Sequence, residues 1–160
     1  CFIGGGPGCG FGEVAYIALS GDPLSPPAGS APDGLLFPHG LVVHRIGEAC
    51  DPGFTADFTW ELPTSMPEDT LLWKYGPTPD DRSPHWYSLP AVVSGNIVSF
   101  SITDGALGDN DLAENGTIVD PGGPAFVPAE APTPIPSLHW LALALLSLML
   151  GLLGAQRRWR

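Results

Sequence analysis

Charge is scarce in this chain, and basic charge most of all. Only 14% of its 160 residues are charged, against about a quarter in an ordinary globular domain. The basic residues number six, and three of them are Arg157, Arg158 and Arg160. Over residues 1–134, 17 acidic residues face only Arg45, Lys74 and Arg82. Such a surface repels a polyanion and has no basic stripe to release counterions, so nucleic acid is excluded as a partner. Several chemical signatures are also missing. The chain has no Gly-x-Ser-x-Gly elbow, no His-Glu-x-x-His pair, no Cys-x-x-Cys, and no Gly-Lys-Ser/Thr after its Gly4–Gly8 run. Serine hydrolase, zincin, zinc-ribbon and phosphate-loop chemistry therefore have no foothold in the sequence, and the expectation is a protein that is not an enzyme. The chain opens on Cys1, with neither Met nor a basic segment leading into an apolar one. That is the pattern expected of a fragment or processed form with sequence upstream.

Glycine and proline are abundant, at 21 and 19 residues, so turns must be frequent and long helices rare before the C-terminus. The apolar residues of the body fall in short runs rich in Val, Ile, Phe and Trp. Candidate strands are 14–19, 41–46, 54–62, 71–75 and 97–102. In the third, Phe54, Ala56, Phe58 and Trp60 share one face and Thr55, Asp57, Thr59 and Glu61 the other, the alternation of a half-buried antiparallel strand. Ser94-Gly95-Asn96 has turn chemistry that would join 91–93 to 97–102 in a hairpin. The fold class expected is mainly β, an antiparallel immunoglobulin-like β-sandwich. His85, between Pro84 and Trp86, reads as a loop residue.

From Ile135 to Ala155 no Asp, Glu, Lys or Arg occurs, and nine of the 21 residues are leucine. A helix of that length spans roughly 30 Å, the thickness of a bilayer's hydrocarbon core. The arginines that follow act as a basic stop and set the C-terminus on the cytoplasmic side, with the acidic body outside. Pro128, Pro132, Pro134 and Pro136 make the preceding stretch an extended spacer. The organisation expected is a Gly-rich linker or fragment start over 1–12, a β-rich domain over 13–126, and a Pro-rich spacer with a sorting motif over 127–137. A transmembrane helix over 138–155 and a basic cytoplasmic tail over 156–160 complete it.

Two motif sets carry family resemblances. Ile135, Pro136, Ser137 and Leu138, followed by an apolar segment and a basic end, resemble the IPTL-CTERM sorting signal of Gram-negative bacteria, with Ser137 where the family has Thr. The resemblance implies processing by an exosortase-type membrane transpeptidase. It places the protein in the inner membrane before processing and at the cell surface or outer envelope afterwards. In the body, FPHGL at 37–41, CDPG at 50–53, LWKYGPT at 72–78, HWY at 85–87 and the long DGALGDNDLAENGTIVDPGGPA at 104–125 resemble the choice-of-anchor U domain. That family consists of exported bacterial proteins in which a β-rich module directly precedes a C-terminal anchor, and it brings no catalytic activity with it.

An exported compartment permits disulfides. Of Cys1, Cys9 and Cys50, the last is one end of the expected bridge and Cys9 the favoured partner. Cys1 is then left to bond upstream sequence or to be acylated as the first residue of a lipoprotein. Asp104, Asp109, Asp111, Asn115 and Asp120 crowd into 17 residues interleaved with glycine. Calcium takes six to eight oxygens of this kind. An EF-hand register fails, because Glu114 stands where the loop requires Gly. Two roles remain open for the segment: a calcium-stabilised loop, or turns in which Asp and Asn bond the backbone. No Lys or Arg is near in sequence to offset the carboxylates. Trp60, Trp73, Tyr75, Trp86 and Tyr87 are core candidates, with an adhesive surface for carbohydrate or protein as the rival role.

Overall fold

The computed structural model describes residues 1–129. The sorting motif 135–138, the apolar segment 138–155 and Arg157, Arg158 and Arg160 lie outside the described residues. Nine strands form two antiparallel sheets, and no helix occurs among the described residues. The strands are β1 (Phe2–Ile3), β2 (Gly10–Ile17), β3 (Leu41–Glu48), β4 (Thr55–Glu61), β5 (Leu71–Gly76), β6 (His85–Leu89), β7 (Val92–Ser94), β8 (Ile97–Thr103) and β9 (Ile118–Ala125). One sheet has the order β1-β4-β8-β7 and the other β2-β3-β9-β5-β6.

The alternation read from the sequence positions the core. In β4, Ala56 and Phe58 are buried while Thr55, Asp57, Thr59 and Glu61 are exposed. Its neighbour β8 sends Val98, Phe100 and Ile102 to the same side. The facing sheet contributes Ile46, Leu72, Leu89 and Ile118, so residues of both sheets close one core. Phe58 and Phe100 stack at 4.8 Å with their planes 11° apart, a pair worth about 1 kcal/mol beyond the area it buries. Ser94 pairs with Ile97, so β7 and β8 form the hairpin expected, turning through Gly95 with φ of 60°.

The five-stranded sheet is covered on both sides. The connection 18–40 lays Phe37, Leu35 and Ala31 against the outward residues Leu41, Val43, Trp73 and Trp86. The Trp86 indole donates to Ser30 Oγ at 3.0 Å, which gives a half-buried aromatic ring its polar partner. This second cluster takes in Trp73 and Trp86, two of the core candidates read from sequence.

Three segments differ from expectation. Residues 1–12 are not a linker: Phe2–Ile3 pairs with β4, and β2 begins at Gly10. The glycines there make a tight turn that holds a disulfide. Gly5 has φ of 80°, and a Cβ on it would strike Cys9 Sγ. His85 opens strand β6 instead of lying in a loop. The DPGGPA stretch runs through β9, because both of its neighbours approach closely: a Cβ on Gly123 would meet the Gly40 carbonyl oxygen.

Cys9 and Cys50 are disulfide-bonded with Cα atoms 4.5 Å apart, the pairing expected. The bridge spans 41 residues and packs against the main core. Replacing both cysteines by Ser is expected to lower unfolding stability by roughly 3–4 kcal/mol in the chain-entropy account, measured by urea unfolding of the full chain.

Candidate functional site

A polar row crosses the inner face of the five-stranded sheet. In the register, His44 of β3 lies opposite Asp120 of β9, Lys74 of β5 opposite Gly122, and Tyr87 of β6 opposite Lys74. Residues 120 and 122 share a face, so Asp120 is the diagonal neighbour of Lys74, within reach of a long side chain. Lys74, Asp120 and His44 are all at most 1% exposed. Lys74 Nζ contacts Asp120 Oδ1 and donates to the Gly108 carbonyl at 2.7 Å. His44 Nε2 stands 3.2 Å from Asp120 Oδ2. Gly122 makes room for this: a Cβ there would come within 3.1 Å of the Lys74 stem and 3.4 Å of Asp120 Oδ1.

Burial shifts the protonation of the row. It draws the Lys74 ammonium below its ordinary range, against the pull of Asp120 and Asp109. It likewise lowers His44, with Asp120 opposing. Tyr87 is pushed upward, first by burial and then by the charge of Asp120. Rings close the region from the facing sheet, Phe58 lying 4.5 Å from His44 and Trp60 5.9 Å.

The acidic segment 104–117 closes over this row, and its Asp104, Asp109 and Asp111 carboxylates accept hydrogen bonds from the protein. Asp104 accepts the backbone N–H of Gly53 at 2.8 Å and of Gly116 at 2.7 Å, tying two loops together. Asp109 accepts from Gly105 at 2.9 Å and Val119 at 3.3 Å. Asp111, exposed, accepts from the Ala113 backbone and the Asn115 side chain, while Asn115 Oδ1 receives Thr117 N–H. Asp120 faces Lys74 and His44. Among the described residues no group of three or more His, Cys, Asp or Glu stands in an arrangement that could hold a metal ion. The compensating cation absent from the neighbouring sequence is Lys74, brought in from β5. It is the only lysine in the chain.

A groove of about 460 Å³ opens beside the row, between β2–β3 of one sheet and β4 of the other. Phe11, Tyr16, Val42, His44, Trp60 and Glu61 line it. Tyr16 and Phe11 are exposed, and Trp60 is held edge-on by Phe100 at 4.8 Å. Trp60 therefore serves both the core and the groove wall. Lys74 and His44 were missed as site residues by sequence reasoning. Period gave no signal for the lysine, because Leu71, Trp73 and Tyr75 make the opposite face of β5 the more apolar one in sequence. No family model matches this chain, and comparison with curated proteins and with solved structures finds no match.

Burial raises the Asp109 carboxyl from its ordinary 3.8 to about 6. Between those values the folded state keeps a proton that the unfolded chain releases, so the contribution is full below the lower value and declines up to the higher. Wild type is expected to lose melting temperature relative to Asp109→Asn as pH rises from 3.8 to about 6, measured by calorimetry across that range.

Proposed function

We propose that this chain is a non-enzymatic, exported module of a bacterial surface protein. Its body is an immunoglobulin-like β-sandwich of the choice-of-anchor U kind, presenting an upstream region near the membrane until the chain is sorted through its IPTL-CTERM-like end. The observation that carries the proposal is the Cys9–Cys50 bridge packed into the core, since such bonds persist in oxidising compartments outside the cytosol. The acidic surface of residues 1–134 and the uncharged stretch from 135 to 155 ending on arginines support it. The partners in this scheme are an exosortase-type transpeptidase and membrane lipid.

With a C-terminal epitope tag and the cognate sorting enzyme, wild type is expected to lose the tag and reach the surface. Pro136→Ala is expected to keep the tag and stay in the inner membrane. Equal processing of the two would leave the motif without a role in sorting.

The groove favours a second role, binding of carbohydrate, because exposed aromatic rings beside the Glu61 carboxylate match the apolar faces and hydroxyls of a sugar. Trp60→Phe should weaken retention in affinity electrophoresis through envelope polysaccharide by about 1 kcal/mol, close to fivefold. Equal migration of both proteins with and without polysaccharide would remove this role.

A further inference from the structure

Neither sorting nor sugar binding gives a reason to bury the chain's only lysine between two sheets. An ammonium and a carboxylate lose most of their hydration there, and their attraction often fails to repay that loss. A reaction that removes both charges resolves the conflict. We propose that Lys74 and Asp120 condense to an amide, making an intramolecular cross-link between β5 and β9.

The geometry meets each requirement. The reacting groups are in contact, and neighbouring strands fix them there. Intramolecular reactions held this way reach effective concentrations of about 10⁵ M and above. Both groups are at most 1% exposed, so burial draws the ammonium toward its neutral, nucleophilic amine and the dry surroundings keep water from reversing the condensation. The Gly108 carbonyl accepts one amine hydrogen at 2.7 Å, which holds the nitrogen beside the Asp120 carboxyl group. The absence of a side chain at Gly122 leaves the path between them clear.

Starting from the neutral pair, the Lys74 nitrogen lone pair attacks Asp120 Cγ and forms the C–N bond. The C–O bond to Oδ2 breaks, and that oxygen leaves as water with its own hydrogen and one from the amine. Nothing is oxidised or reduced. His44 Nε2, 3.2 Å from Oδ2, is the group placed to relay the proton from nitrogen to the departing oxygen. In the product the amide N–H retains the Gly108 carbonyl as its acceptor. The row then carries no full charge at positions 74 and 120.

Intact mass spectrometry of the full chain, reduced and denatured, tests this directly. Wild type is expected to be lighter than its composition by one water, whereas Lys74→Arg and Asp120→Ala carry their full masses. Endoproteinase Lys-C, which cuts after free lysine, should leave wild type uncut at position 74, and an amine-reactive label in denaturant should find no lysine. A full wild-type mass with cleavage at Lys74 would overturn the cross-link, and that measurement stands whether or not either variant folds. His44→Phe, which keeps a ring against Phe58, is expected to cross-link incompletely; complete cross-linking would overturn the relay assigned to His44.

Discussion

The rest of the body is arranged around a single constraint, the burial of Lys74 against Asp120. Once that ammonium is placed on the inner face, β9 must present a carboxylate beside it, and position 122 must be empty of side chain. The loop after β8 must also turn a backbone carbonyl inward at Gly108. Until the two are joined, removing one member of such a pair leaves the other buried without its partner, a loss of about 3–5 kcal/mol. Within the acidic segment, Asp104 and Asp109 bond the backbone groups that hold the loop closed over the row.

Around that row the fold spends its apolar residues on two clusters instead of one. The inner cluster joins the sheets through Phe58, Phe100, Ile46 and Leu72, and the outer one seals the far side of the five-stranded sheet under the connection 18–40. Covering both faces is why β3 opens on a continuous apolar run, Leu41-Val42-Val43, before His44 and Arg45. The disulfide lies where the glycine-rich start meets the end of β3. It constrains a stretch whose own side chains contribute little packing.

Much of this was legible in sequence where side-chain alternation dictates burial. Phe54 to Glu61 and Ile97 to Ile102 declare their faces by period, and Gly95-Asn96 declares its turn. The strand β9 was not legible, because Asp-Pro-Gly-Gly-Pro has turn composition and becomes strand only through the two neighbours that pair with it. Lys74 was hidden for a related reason. Proximity to the acidic segment exists only in the sheet, 46 residues away from Asp120 along the chain. The acidic residues are near one another in sequence, but sequence does not show which backbone groups they bond: Asp104 takes Gly53 and Gly116, and Asp109 takes Gly105 and Val119.

The position of β9 also bears on when the body can form during synthesis. The five-stranded sheet consists of two local hairpins, β2–β3 and β5–β6, that meet only across the last strand. Domains commonly fold as they emerge, N-terminal parts first. Here an incomplete chain ending before Ile118 has both hairpins but not the strand that joins them, and it lacks the partner for Lys74. The central seam is thus the last strand of the described body to emerge. A growing chain therefore stays open until nearly all of the described body has been made.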